Sequence, residues 1–247
     1  MPPQESDCSF GSDTMGFSFK AFHVDDFGCG MPVSTDAVLL GAWANLDGAD
    51  AVLDLGAGSG LLALMAAQRC KALITAIEID PVAASACRSN FSASPWRDRI
   101  SLIEADAADA KALAGKVFTH ILCNPPYFET GPLSEKPGRA QARHTGSLGF
   151  LALCKLMATH LSAQGVASLV LPVESEPAFM QALTHAGLGI QQRVEVSTVE
   201  GKAPRRLLLA VSHKEDNYQH EHLAIRDVQG CYTEAMTALT RDFYLKL

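Results

Sequence analysis

From Ala51 onward the chain alternates short apolar runs with longer stretches whose apolar positions recur at helical spacing. The runs Ala51–Leu55, Ala72–Glu78, Ile100–Ala105, Val117–Cys123 and Val166–Leu171 are continuous in apolar character and bounded by Gly, Pro or acidic residues, the pattern of strands buried on both faces. Between them Gly60–Arg69, Pro81–Ala93, Ser147–Leu161 and Glu174–His185 read as helices, and Asp109–Leu113 as a weaker one. Pro81 sits early in its helix, where a missing N–H costs little, and Gly187 follows the last helix as a stop. Gly165 lies near the end of the helix before it. Gly189–Thr198 and Arg205–Ser212 read as a pair of strands in a hairpin. Upstream, Phe17–Val24 alternates aromatic with polar residues, as a half-buried strand or hairpin does, and Ala37–Ala44 is an apolar helix that Thr35 or Asp36 is placed to cap. Residues 128–146 form a long loop, a polar connector follows Ser212, and Tyr232–Leu245 is a final helix or mixed segment.

This alternation predicts an α/β fold: a doubly wound sheet with helices on both faces. No internal repeat or composition break divides it. The expectation is a flexible tail over residues 1–16, acidic and polar, followed by a single domain over 17–247.

Composition narrows the function classes. The 247 residues are 48% hydrophobic and carry a net charge of -7, which argues against a general nucleic-acid coat and leaves room for a local basic patch. No apolar run reaches the ~20 residues of a membrane span, so no membrane association is expected. The N-terminus lacks the basic start and apolar core of a signal peptide, which points to the cytoplasm. The 7 cysteines are odd in number and include no Cys-x-x-Cys pair, so neither disulfides nor a cysteine zinc site is expected. His220-Glu221-His222 has no third ligand nearby, and no metal is assigned.

The candidate chemistry sits at strand ends. Asp54-Leu55-Gly56-Ala57-Gly58-Ser59-Gly60 follows the first strand of the alternation and opens a helix, the cofactor position of an open α/β sheet. Its spacing is Gly-x-Gly-x-Gly, and Leu61 occupies the slot where a dinucleotide-binding loop has its third glycine. An acid just before the loop repels a pyrophosphate and attracts the ammonium of an amino-acid moiety. Glu78 ends the next strand, where a carboxylate can accept ribose hydroxyls, and Asp106 follows the third, placed to take an adenine amino group. After the fourth strand comes Asn124-Pro125-Pro126-Tyr127-Phe128. The prolines stiffen the exit from the sheet. The Asn124 amide oxygen and the Pro125 carbonyl can accept from a planar NH2, while Tyr127 or Phe128 lies against the ring that bears it.

With these motifs the chain resembles the class I S-adenosylmethionine-dependent methyltransferases, in the amino-methylating branch that carries Asn-Pro-Pro-Tyr. Within that branch it is similar to the tRNA adenine-N6 methyltransferases that act beside the anticodon of a valine tRNA. The more specific marks are Phe19-Lys20-x-Phe22, Ser34-Thr35-Asp36 leading to Leu39-Leu40-Gly41-Ala42-Trp43-Ala44, Ser94-Pro95-Trp96, and the tail from Tyr232 to Leu245. Pro32 and Ser34 depart from the family pattern, where lysine and glycine are usual.

The resemblance implies a Rossmann-like, seven-stranded, mostly parallel sheet whose last strand is antiparallel, and a substrate-facing N-terminal segment over 17–45. It implies S-adenosylmethionine as methyl donor, leaving as S-adenosylhomocysteine. The cofactor set is Thr35, Asp36, Asp54, Gly56, Ala57, Gly58, Gly60, Glu78, Ile79, Asp106, Ala107 and Asn124, and the catalytic set is Asn124, Pro125, Pro126 and Tyr127. The RNA contacts expected are Lys20, Phe128 and, from two stretches in which cations outnumber acids, Lys136, Arg139, Arg143, Lys202, Arg205 and Arg206. The partner is then tRNA, and the protein a monomer or weak homodimer. The alternatives are methylation of another adenine or of a glutamine amide through the same motif, or a non-catalytic RNA-binding protein.

Overall fold

The computed structural model describes residues 16–26, 28, 29, 32–125, 149–213 and 219–246. A small hairpin, β1 (Gly16–Ser18) and β2 (His23–Asp25), precedes α1 (Thr35–Trp43). The alternation then runs β3 (Ala51–Leu55), α2 (Leu61–Arg69), β4 (Leu73–Glu78), α3 (Pro81–Ala93), β5 (Ile100–Glu104) and β6 (Phe118–Cys123). It resumes with α4 (Phe150–His160), β7 (Leu161–Pro172), α5 (Glu176–Ala186), β8 (Gly189–Val199), β9 (Arg206–Ser212), β10 (Gln219–Arg226) and α6 (Glu234–Thr240).

The strands β3 to β10 form one sheet in the order β10-β8-β9-β7-β6-β3-β4-β5. Only β9 runs against its neighbours, pairing antiparallel with both β7 and β8. The order reverses between β3 and β6, which makes the space beyond their C-terminal ends the binding crevice of such a sheet.

Period-2 alternation assigns each strand residue to a face. Val52, Ile74, Leu122, Val170 and Leu208 pack with α1, α2, α3 and α6, while Leu53, Leu55, Ile77, Ile121, Leu169 and Leu209 pack with α4 and α5. Asp54 shares a face with Val52 and therefore points under α2. Arginines close helix ends: Arg69 donates to the carbonyls of Gly41 and Ala44, and Arg99 to those of Ala67 and Cys70. No described helix is long and apolar enough to cross a membrane.

The fold differs from the sequence reading at several places. Among the described residues the sheet has 8 strands rather than seven, because the stretch read as a polar connector supplies β10. Leu223 and Ile225 pack on the core, and the strand joins β8 in parallel at the sheet edge. Residues 109–113 form turns rather than a helix. Gly165 lies inside β7, which starts at Leu161, and a Cβ there would come 2.8 Å from the Thr119 carbonyl oxygen. The cap of α1 is Ser34, whose hydroxyl accepts from the Ala37 N–H at 3.2 Å, so Thr35 and Asp36 stand in the first turn instead. Of the expected tail only Gly16 is described, and it opens β1.

Candidate active site

The C-terminal ends of β3, β4, β5 and β6 converge on a cleft. Its walls include Gly56, Glu78, Ile79, Asp106, Ala107, Asn124 and Pro125, drawn from these four strand ends and the turns after them. Leu55, Ile77, Ala105, Cys123 and Leu153 add an apolar lining. Among the described residues the lining holds two acids and no base, a setting that favours a cationic ligand with an apolar ring.

The glycine loop is held peptide by peptide. The N–H groups of Gly56 and Ala57 both donate to the Ile77 carbonyl at 3.0 Å, and Gly58 N–H donates to Glu78 Oε2 at 2.8 Å. Glu78 uses its other oxygen to accept from Asp80 N–H at 2.8 Å. The carboxylate is thereby oriented, and each oxygen keeps a lone pair for a hydroxyl. Gly56 (φ 74°) and Gly58 (φ 56°) adopt the left-handed region, and a Cβ on either would meet nothing within 4 Å. That open space beside the backbone lets a ligand approach closely.

Below the loop, Asp54 is fully buried. Its Oδ2 accepts from Ala63 N–H at 2.9 Å in the first turn of α2, whereas Oδ1 is buried with no hydrogen-bond partner among the described residues. Burial, reinforced by the charge of Glu78, pushes its carboxyl up to about 7. Asn124 repeats the pattern across the cleft: its Oδ1 is buried and has no partner among the described residues. Orphaned buried acceptors are rare in folded proteins and ask for a donor beyond the described residues. An ammonium at Asp54 and an amino group at Asn124 meet that need, so the residues present fit S-adenosylmethionine and a planar NH2 substrate.

The predicted residues divide accordingly. Gly56, Glu78, Ile79, Asp106, Ala107, Asn124 and Pro125 line the cleft, while Asp54, Ala57, Gly58 and Gly60 build the loop beside it. Asp106 is exposed, its Oδ1 accepting from Ala108 N–H at 2.8 Å. Thr35 and Asp36 are not brought into the cleft lining. Asp36 instead accepts from Arg206 Nε at 2.7 Å, which also removes Arg206 from the set of freely presented cations. Lys20 reaches the Arg241 carbonyl, tying the N-terminal segment to the end of α6. Lys202 and Arg205 are exposed in the β8–β9 turn. Pro126, Tyr127, Phe128, Lys136, Arg139 and Arg143 lie outside the described residues. Sequence reasoning missed Leu153, an apolar α4 residue like its neighbours until the fold turns it to the cleft. It also missed Asn90, a polar position in α3 whose partners lie far away in the chain.

Comparison with known proteins agrees with this geometry. The methyltransferase small domain family model matches residues 34–138. A tRNA1(Val) (adenine(37)-N6)-methyltransferase of Shewanella amazonensis is 92% identical over 94% of this chain and all of its own length. That of Shewanella loihica is 53% identical over the same shares of the two chains. Among solved structures, a predicted O-methyltransferase from Agrobacterium tumefaciens has a TM-score of 0.67 at 22% identity, covering 84% of this chain and 96% of its own. A ribosomal protein L11 methylase from Lactobacillus delbrueckii has a TM-score of 0.52 at 21% identity, covering 72% and 78%. At such identities the structures speak for the fold alone; the near-identical full-length relative goes further, and the chain belongs to the tRNA1(Val) (adenine(37)-N6)-methyltransferase family.

Proposed function

We propose that the protein transfers a methyl group from S-adenosylmethionine to N6 of adenosine 37 in valine tRNA, the reaction named for its relatives. The observation that carries the reading is the buried Oδ1 of Asn124, without a partner among the described residues and set where β6 ends beside a cleft walled by acids.

When bound, S-adenosylmethionine supplies an electrophilic methyl group on a positively charged sulfur. The chain's own residues do the rest. Asp54 Oδ1 takes the ammonium of the amino-acid moiety, Glu78 the ribose hydroxyls and Asp106 the adenine amino group. Asn124 Oδ1 and the Pro125 carbonyl accept from the substrate NH2. This draws the nitrogen toward a pyramidal geometry and directs its lone pair at the methyl carbon. The donor, when bound, would supply the methyl group for the new C–N bond and its sulfur would keep the electrons of the C–S bond, while the surplus N6 proton would leave to water. Positioning and electrostatics carry the rate, and no strong base is needed. The target base must leave its stack in the anticodon loop, and an aromatic ring after Pro126 receives it.

The test is incubation of valine tRNA with a methyl-labelled donor, followed by nucleoside separation by mass. Label is expected in N6-methyladenosine and lost when adenosine 37 is replaced by guanosine. Label elsewhere, or none, refutes the assignment.

A further inference from the structure

Asn90 lies in α3, away from the cleft lining, and is only 4% exposed. Its carboxamide is used three ways. Oδ1 accepts from Asp25 N–H at 2.9 Å, and Nδ2 donates to the Asp25 carbonyl at 2.8 Å and to the Ser59 carbonyl at 2.9 Å. Asp25 ends β2 of the N-terminal hairpin, while Ser59 lies in the glycine loop between Gly58 and Gly60. One side chain therefore holds both sides of a peptide-like pair with β2 and, by its second amide hydrogen, the cofactor loop.

The surroundings make this joint more than a packing detail. The other loop peptides are already fixed, to the Ile77 carbonyl and to Glu78, and Ser59 O is the loop carbonyl that Asn90 holds. Beyond β2, Asp26 Oδ2 accepts from Val33 N–H at 2.8 Å, and a Cβ on Gly28 would come 3.1 Å from Val82 Cγ1 at the start of α3. The chain after Asp25 thus lies over the same end of α3 where Asp80 N–H donates to Glu78. The N-terminal segment, Asn90 and the glycine loop form one continuous path of hydrogen bonds.

We propose that Asn90 is a positioning residue that couples the glycine loop to the N-terminal segment, so that filling the cofactor cleft orders residues 16–26. The inference rests on the proposed use of the cleft for S-adenosylmethionine. A loop that is pre-set binds without having to be ordered by the ligand, and a loop freed at Ser59 must be ordered at binding. Only a carboxamide of this length serves both partners. Aspartate keeps the acceptor for Asp25 N–H and loses both donors; alanine loses all three bonds.

The experiment compares the wild type, Asn90→Asp, Asn90→Ala and a control, Phe179→Leu, which loosens the core on the opposite face of the sheet. Calorimetry with S-adenosylhomocysteine reads affinity, steady-state kinetics read KM and kcat, and hydrogen exchange reads residues 16–26 with and without that ligand. The expected result is protection of 16–26 by the ligand in the wild type and the control. Both Asn90 variants lose that protection, and cofactor Kd and KM rise about tenfold while kcat changes little. The near-isosteric aspartate preserves packing if alanine does not fold. Wild-type affinity in Asn90→Asp, or no protection of 16–26 in the wild type despite binding, overturns the proposal. An equal loss of affinity in Phe179→Leu assigns the effect to general stability and overturns it as well. Failure of the wild type to bind S-adenosylhomocysteine at all refutes the cofactor reading itself.

Discussion

Measuring cofactor affinity between pH 6 and pH 8 reads the state of Asp54 directly. The carboxyl lies wholly inside the protein and is raised to about 7, chiefly by burial and further by the charge of Glu78. A ligand ammonium pairs with the ionised form, so binding must expel the proton that the empty site holds at low pH. For a group at about 7, the competent fraction falls from about nine-tenths at pH 8 to about one-tenth at pH 6, which weakens the apparent Kd about tenfold. Calorimetry in buffers of differing ionisation enthalpy will also register proton release near neutrality. Asp54→Asn is expected to bind weakly at pH 8 and to lose the slope. A flat profile in the wild type, or an unchanged slope in Asp54→Asn, refutes the reasoning.

The same carboxyl sets a stability trend. Its folded value lies above its ordinary value of 3.8, so the folded protein holds the proton more tightly than the unfolded chain. That contribution is complete below about pH 4 and is lost as pH rises through about 7, for a total of about 4 kcal/mol. The Tm of the ligand-free protein is therefore expected to fall between pH 5 and pH 8, and the rise in Tm on adding cofactor to be larger at pH 8 than at pH 6.

Asn124→Ala should retain cofactor affinity by calorimetry and lose methyl transfer by about 100-fold or more, the scale for removing a polar group aimed at the reacting atoms; near-normal turnover would remove it from the catalytic set. Gly60→Ala places a methyl 2.5 Å from Phe91 and 2.9 Å from Cys87 Sγ at a residue with φ of 86°. The combined crowding and strain should cost about 3 kcal/mol, or roughly 6–12 °C in Tm, and an unchanged melting curve would contradict it. Lys202→Ala and Arg205→Ala should each lower the slope of log K against log salt for tRNA binding by roughly 0.7–0.9. Arg206→Ala should leave that slope nearly unchanged because its guanidinium is spent on Asp36; equal effects at all three positions would show that the ion pair does not decide.

How much of this was legible beforehand depends on the range of the interaction. Strand and helix limits such as Ala51–Leu55 and Pro81–Ala93 follow from local periodicity, a proline and a few glycines, and the structure keeps them as read. The glycine loop and the acids at successive strand ends were legible for the same reason: a doubly wound sheet delivers the residue after each parallel strand to one edge. What local pattern could not supply was pairing between distant segments. Gln219–Arg226 reads as polar because an edge strand buries only part of itself, and its place in the sheet exists only through β8. Arg206 looks like a free cation until the fold sets it against Asp36, and Asn90 like a surface amide until β2 and the glycine loop close on it. The chain by itself determined that Gly56, Glu78, Asp106 and Asn124 stand at successive strand ends around one cleft. The tertiary structure decided which polar atoms are already satisfied and which, at Asp54 and Asn124, find no partner among the described residues, because the partners of a side chain are a property of space and not of sequence distance.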